Sequence, residues 1–446
     1  MAMKRIAITT LGCKVNQFES AAFASGFEAR GCAMVPFQTE ADVYVINTCT
    51  VTAKAGQQSR QLIRRVLHEH PGARVVVTGC YAQMDPETVL NLAEHPVTVV
   101  GNGNKHLLVE AALAEHPPDL VLLMGRIREK KEICDLPVTR FRGRTRAYLR
   151  IQDGCDNFCS YCIVPYTRGR SRSLPLAGVL EQTAVFVAQG YRELVITGIN
   201  VGKYGLDLGE GQTIYSLLDR LCREFPALRF RLSSIEPAEV TDPLLELMTR
   251  HTNFMPHLHI PLQSGDDTVL ARMNRRYTRA EFAGVIRRVR QTLPDAAIGC
   301  DVLSGFPGET DEEAEQTYRL LADLPVSYLH VFPYSRRPGT LAASLDQQLP
   351  GPVKEARVRR LRGLDQVKRQ AAYQDNIGRV HRVLVERRQA KSGLLQGFSE
   401  NYLPMLFAGG SSLIRQVVPV RLTTVADGQP VGILAEDVLE ESRQNR

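Results

Sequence analysis

Three cysteines, Cys155, Cys159 and Cys162, stand in the run Gln152-Asp153-Gly154-Cys155-Asp156-Asn157-Phe158-Cys159-Ser160-Tyr161-Cys162. The spacing is C-x3-C-x2-C, with an aromatic residue just before the last cysteine. Three thiolates on one tight loop can hold three irons of a cubane cluster and leave the fourth iron open to a substrate molecule. A zinc knuckle, or three core cysteines that happen to cluster, is the competing explanation. Zinc usually takes a fourth Cys or His from close by. The nearest downstream histidine is His251, which argues against a closed local zinc site.

A second set is spread more widely. Cys13, Cys49 and Cys80 follow Leu11-Gly12, Asn47-Thr48 and Thr78-Gly79, with gaps of 36 and 31 residues. Each gap is about one strand-helix unit. If each cysteine ends a strand of one parallel sheet, all three sulfurs lie along the edge where open α/β sheets bind ligands. Glycines beside Cys13 and Cys80 would let the backbone approach a bulky inorganic group. Three buried structural cysteines remain the alternative. Cys32, Cys134, Cys222 and Cys300 lack partners at ligand spacing and read as structural, with Cys134 the least settled of them.

The elements that must position these thiols follow from hydrophobic periodicity. Ile6–Thr10, Val43–Ile46 and Val75–Thr78 read as buried strands, each followed by a helical stretch. Pro117-Pro118 and the charged run 126–131 break that series, and 140–146 reads as a basic linker. A second series has strands at Tyr148–Gln152, Leu194–Thr197, Phe230–Ser234, His257–Pro261, Ala297–Leu303 and Tyr328–Phe332. Helices fall between them, as at Leu176–Gln189 and Arg279–Leu293. Six such units are too few for a closed eight-unit barrel, so an open partial barrel is expected. Pro350-Gly351-Pro352 marks a boundary before a helix at Lys354–Gln374. Short strand-like runs at Val380–Glu386, Gly393–Phe398, Met405–Phe407 and Gln416–Leu422 suggest a small β-barrel. The fold class is therefore α/β: a parallel α/β domain, a partial (β/α)6 barrel and a small C-terminal β-barrel.

Composition sets outer bounds. The 446 residues are 44% hydrophobic, enough for real cores and for more than one domain. No apolar run is long enough to span a bilayer, and the N-terminus reads as a strand rather than a signal peptide. Ten cysteines without a secretory signal point to a reducing, cytoplasmic setting. The net charge of +7 is unevenly spread. Residues 140–172 hold eight Arg against two Asp, and residues 352–391 hold twelve Lys and Arg against four Asp and Glu. A basic helix feeding a small β-barrel suggests phosphate contact with nucleic acid. Phe398 and Tyr402 could stack on bases there or simply pack a core.

Other strand ends carry polar turns: Thr197-Gly198-Ile199-Asn200, Ser233-Ser234-Ile235-Glu236-Pro237, Pro261-Leu262-Gln263-Ser264-Gly265, and Gly305-Phe306-Pro307-Gly308-Glu309-Thr310. Each also satisfies ordinary turn and helix-cap chemistry. Together, at the mouth that carries the cysteine loop, they suggest a lining for a polar cofactor.

These motifs, with Pro165 and Arg168-Gly169, resemble the radical S-adenosylmethionine (SAM) methylthiotransferases. The resemblance covers nearly the whole chain. It implies an N-terminal methylthiotransferase domain (1–118), a radical SAM core (140–374) and a TRAM RNA-binding domain (376–441). It implies two [4Fe-4S] clusters: one on Cys155, Cys159 and Cys162 that binds and reductively cleaves SAM to a 5′-deoxyadenosyl radical, and an auxiliary one on Cys13, Cys49 and Cys80 that carries sulfur. A second SAM would supply the methyl group. Radical chemistry suits a C–H bond that no base at neutral pH could deprotonate. Tyr161, Gly198, Ser234, Glu236 and Gln263 are the implied SAM contacts. Three substrates divide the family: isopentenyladenosine in tRNA, threonylcarbamoyladenosine in tRNA, and a ribosomal-protein aspartate. The runs Leu11-Gly12-Cys13-Lys14-Val15-Asn16-Gln17 and Asn47-Thr48-Cys49-Thr50-Val51-Thr52 look most like the threonylcarbamoyladenosine type. Expected partners are tRNA and a reductant such as a flavodoxin or ferredoxin. A non-catalytic, metal-bound RNA-binding protein is the reading from outside the enzyme class.

Overall fold

The structure is a computed structural model and describes residues 3–92, 97–115 and 120–435. Six parallel strands form the first sheet: β1 (Arg5–Thr10), β2 (Ala33–Val35), β3 (Val43–Thr48), β4 (Arg74–Gly79), β5 (Val97–Val100) and β6 (Leu120–Leu123). Their order is β2-β1-β3-β4-β5-β6. β3 is buried throughout, as a strand covered by helices on both faces must be. The chain steps one way from β1 to β2 and the other way from β3 onward. The topological switch therefore falls between β1 and β3, where open α/β sheets hold ligands. β2, β5 and β6 escaped the sequence reading because three or four residues carry too little periodicity. The sheet runs through β6, past the 118 at which the first domain was expected to close. The Pro117-Pro118 break lies outside the described residues.

The middle of the chain supplies β7 (Ala147–Arg150), the short pair β8 (Gln152–Asp153) and β9 (Arg172–Ser173), then β10 (Glu193–Thr197), β11 (Arg229–Leu232), β12 (His257–His259), β13 (Ala297–Ser304) and β14 (Tyr328–Pro333). Two parallel sheets, β7-β10-β11 and β12-β13-β14, meet through the bridges Phe230–Phe254 and Ser234–His259. The result is an open, six-stranded partial barrel. The helix Gly351–Gln374 lies against β14, with Val358, Leu361 and Leu364 in the core and Leu329 N donating to Asp365 Oδ1 at 2.6 Å. It starts at Gly351 rather than after the Pro-Gly-Pro run, because proline is tolerated in a first helical turn.

The stretch expected to be a basic linker is pinned along its length. Phe141 is buried, its N–H donates to Tyr191 Oη at 2.7 Å, and Arg140 and Arg142 pair with Glu28. Phe18, Phe23 and Phe27 of the helix Lys14–Ala29 join Phe141, Leu149 and Phe186 in one continuous core, so the first two units share a hydrophobic interface.

β15 (Val380–Arg388), β16 (Leu395–Phe398), β17 (Pro404–Phe407), β18 (Val417–Ala426) and β19 (Gln429–Leu434) close into a barrel in the order β15-β16-β17-β19-β18. Val383, Val385, Met405, Phe407, Val420 and Leu422 fill it. β19 went unread because its Pro and Gly weaken the strand signal. The expected end of this domain, 436–441, lies outside the described residues.

Candidate active site

The cysteine loop leaves β8 at the C-terminal mouth of the partial barrel. Backbone and side chains fix it on several sides. Cys155 N–H donates to Gly169 O at 3.1 Å, and Cys162 N–H to Cys159 O at 2.9 Å. Ser160 donates its N–H to Met273 O and its hydroxyl to Arg272 O, while Asn274 Nδ2 donates to Phe158 O at 2.9 Å. Gln152 organises the neighbouring turn: its Oε1 accepts from the Ile199 and Asn200 N–H groups at 2.9 and 2.8 Å. Burial, then the neighbouring sulfurs among other groups, pushes the Cys155 thiol up to about 11 and Cys162 to about 12.

Cys13, Cys49 and Cys80 follow β1, β3 and β4, which are adjacent in the sheet. Their thiols are electrostatic neighbours. Burial raises Cys13 and Cys49, the latter to about 11, and the nearby thiols add to the rise. Among the described residues, no group of three metal-binding side chains that includes a cysteine gathers its ligand atoms within 4.8 Å. Sulfurs on one tetrahedral zinc sit about 3.8 Å apart, given Zn–S bonds of about 2.3 Å. Both triplets are thus close enough to interact and too widely spaced for one ion.

The glycines beside Cys13 and Cys80 are both conformationally required. Gly12 and Gly79 have φ near +97° and +95°. A Cβ at Gly12 would lie 2.9 Å from Cys49 Sγ, and one at Gly79 would lie 2.3 Å from Thr48 O. At Gly79 the space is taken by backbone, so that glycine lets adjacent strand ends touch, whereas at Gly12 it is the Cys49 thiol that needs the room.

A buried ionic network, which no motif spacing announced, joins the two thiol triplets. Arg168 is 1% exposed and closes the helix after the cysteine loop. Its Nη1 donates to Glu19 Oε1 at 3.0 Å and Asp153 Oδ1 at 2.9 Å, and its Nη2 to Asn16 Oδ1 at 2.5 Å. Lys105 pairs with the other oxygen of Glu19. Burial opposes charge at Asp153, yet Arg168, Arg172 and Arg150 outweigh it and hold the carboxyl well below its usual range. Asn102 continues the link: its Nδ2 donates to Thr167 O at 2.7 Å and lies 3.9 Å from Cys80 Sγ. Glu19, Asn16 and Asp153 flank cysteines in the sequence, which was the one signal available.

The expected cofactor contacts are distributed around the same mouth. Ser234 is exposed and its backbone bridges to His259. Glu236 is held by Arg275, whose Nη1 lies 3.2 Å from its Oε1 and 3.4 Å from Cys159 Sγ. Arg275 was missed because nothing in its local sequence marks it. Gln263 takes φ of +66°, a left-handed conformation that costs a non-glycine residue, and its backbone pairs with β13. Gly198 sits against Gln152, where a Cβ would meet Gln152 Oε1 at 2.8 Å. Tyr161 is partly buried against the small apolar cluster that includes Met273, Phe306 and Tyr334.

Comparison with known proteins adds a family. Residues 5–101 match the model described as uncharacterized protein family UPF0004, and residues 149–321 match the radical SAM superfamily. The threonylcarbamoyladenosine tRNA methylthiotransferase MtaB of Bacillus subtilis is 37% identical over 99% of both chains. That of Aquifex aeolicus is 39% identical over 85% of this chain and 92% of its own. The tRNA-2-methylthio-N(6)-dimethylallyladenosine synthase of Neisseria gonorrhoeae is 34% identical over 94% and 97%. The chain belongs to the radical SAM tRNA methylthiotransferases. Among solved structures, the radical SAM methyltransferase TsrM of Kitasatospora setae shares the fold, with a TM-score of 0.56 at 15% identity over 76% of this chain and 77% of that one. As a radical SAM enzyme, the methylthiotransferase uses SAM and a [4Fe-4S] cluster.

The basic runs of this methylthiotransferase divide between surface and interior: Arg359, Arg362, Arg387 and Arg388 are exposed, while others are engaged. In the helix Gly351–Gln374, Arg357 pairs with Glu309 and Asp311, Arg360 with Glu315, and Arg369 with Asp365, while Lys368 donates to the Ala322 and Leu324 carbonyls. In the earlier run, Arg146, Arg168 and Arg172 pair with buried or half-buried carboxylates. Phe398 and Tyr402 stack on each other at 4.8 Å with Arg146 over both rings, and Arg231 covers Tyr402. These aromatics seal the joint between the C-terminal barrel and the core. Arg231 also donates to the Ser399 and Glu400 carbonyls there.

Proposed function

We propose that this enzyme transfers a methylthio group to C2 of the adenine in N6-threonylcarbamoyladenosine, next to the tRNA anticodon. The observation that carries the reading is the pair of thiol triplets set on either side of Arg168, which reaches Asp153 beside one and lies within electrostatic range of Cys13 and Cys80 in the other. Cys155, Cys159 and Cys162 would hold the cluster that anchors SAM, and Cys13, Cys49 and Cys80 an auxiliary [4Fe-4S] cluster. Bound there, the two would supply an electron to SAM and sulfur to the substrate. Relatives named for threonylcarbamoyladenosine reach 37% and 39% identity, above the 34% of those named for the dimethylallyl nucleoside, which favours the former.

The protein's part is to hold and shield. Arg275 ties Glu236 to the cysteine loop, and Gln152 fixes the turn at Gly198 beside it. Arg168 and Lys105 neutralise Glu19 and Asp153, so no uncompensated negative charge stands beside anionic clusters. Tyr161, Ser234 and Gln263 remain the proposed SAM-side contacts. A flavodoxin or ferredoxin in the cytoplasm would deliver the electron. Dimethylallyladenosine is the second reading, because relatives named for it reach 34% identity over 94% of the chain.

Mass spectrometry of tRNA nucleosides from a deletion strain separates the two. Loss of the methylthio group from threonylcarbamoyladenosine supports the first reading, and loss from the dimethylallyl nucleoside supports the second. Unchanged tRNA contradicts both.

A further inference from the structure

A cavity of about 240 Å³ opens inside the partial barrel, bounded by Lys14 at one side and by Arg146, Arg231, His257, His259 and His330. Asp301 is its one acidic group, and it is already engaged by His259 at 2.8 Å and His330 at 3.5 Å. Arg146 and Arg231 are engaged too, by Glu386 and Glu193. Lys14 differs from all of these. It is exposed, and among the described residues no carboxylate lies within ion-pair distance of it. It also opens the helix Lys14–Ala29, whose first turn has no acidic residue. A cation at the positive end of a helix dipole is electrostatically unfavourable. So the residue next to Cys13 puts an uncompensated ammonium into a cavity whose other charges are already satisfied. Its field reaches across the cavity: burial first, then Arg231, His259 and Lys14, hold His257 neutral.

We propose that Lys14 is the specificity-determining residue for the adenosine side chain, binding the carboxylate of an anionic N6 substituent inside this cavity. The inference rests on the threonylcarbamoyladenosine reading and deepens it. The threonyl carboxylate is the one charge that separates this substrate from an isopentenyl-bearing one. Lys14 adjoins a proposed auxiliary-cluster ligand, so it sits where the modified base must come. A charge-assisted contact there favours the acid over a neutral ester by tenfold or more.

The test is equilibrium binding, by fluorescence anisotropy, of anaerobically reconstituted but unreduced enzyme. The probes are anticodon stem-loop RNAs carrying threonylcarbamoyladenosine, its methyl ester, or plain adenosine. Wild type binds the acid at least about tenfold more tightly than the ester. Lys14→Met loses that preference, and Lys14→Arg keeps most of it. The ratio of acid to ester cancels any general loss of RNA affinity or cluster content. Equal binding of acid and ester by wild type, or an unchanged preference in Lys14→Met, overturns the proposal. The substrate reading is judged separately by the nucleosides of the deletion strain, so a failure of the Lys14 role is distinguishable from a failure of that reading.

Discussion

Arg168→Met is the most informative perturbation of the scaffold. The guanidinium is 1% exposed and makes charge-assisted bonds to Glu19, Asp153 and Asn16. Without it, Glu19 keeps Lys105 as its one ion-pair partner beside a long hydrogen bond from Asn47, and Asp153 keeps Arg172 at 3.8 Å and the Gly154 N–H. Breaking one buried pair by removing a partner costs about 3–5 kcal/mol. That is a large share of the roughly 5–15 kcal/mol by which a domain is stable. At about 2–4 °C per kcal/mol for a unit of this size, the first melting transition should fall by roughly 10 °C. Arg168→Lys should fall between the two, because an ammonium keeps the charge but cannot fork to three acceptors. Calorimetry of the cluster-free protein measures this directly, and far-UV circular dichroism checks that each variant is folded before heating. Melting of Arg168→Met within about 2 °C of wild type would refute the idea that this residue clamps the two units together.

Other outcomes follow from the same structure. Cys13→Ala should abolish methylthiolation while reductive SAM cleavage remains detectable, whereas Cys155→Ala should abolish both. Chromatography of 5′-deoxyadenosine and of RNA nucleosides reads the two steps, and full methylthiolation by Cys13→Ala would remove the auxiliary role. Gly79→Ala places a Cβ 2.3 Å from Thr48 O at a positive φ and should destabilise the first domain by more than about 1 kcal/mol in urea unfolding. Glu193 is buried, which by itself would raise its pKa, but Arg231 and Arg229 at 2.8 and 3.0 Å outweigh burial and lower it to about 2. A depressed carboxylate stabilises the fold above its unfolded pKa, and that contribution fades as pH falls from 4.5 toward about 2. Glu193→Gln should therefore be less stable at neutral pH and show a shallower loss of stability across that acid window, measured by urea midpoints.

How much was legible beforehand depends on the kind of signal. Strands such as Val43–Thr48 announce themselves by continuous apolar runs, and the cysteine spacings put each thiol at a strand end before any coordinates existed. Short strands did not, and neither did Gln429–Leu434, where a proline and a glycine interrupt the pattern. Charge was the poorest guide. Counting Arg and Lys along the chain cannot show that Arg168 faces Glu19 across 149 positions, or that Arg231 faces Glu193 across 38. The two basic runs are thus mixed: Arg150, Arg168 and Arg172 belong to an internal ionic scaffold, whereas Arg359, Arg362, Arg387 and Arg388 stay exposed. Arg275 stayed hidden for the same reason, and Lys14, although part of a quoted run, carried no role of its own: their meaning lies in what the fold brings beside them.

The decisive measurement is iron stoichiometry with Mössbauer spectra on anaerobic protein reconstituted with iron and sulfide. Two triplets each holding a [4Fe-4S] cluster predict about eight irons per chain, falling to about four in a Cys13→Ala, Cys49→Ala, Cys80→Ala protein. A wild-type content near four irons, unchanged by that triple substitution, would contradict the account.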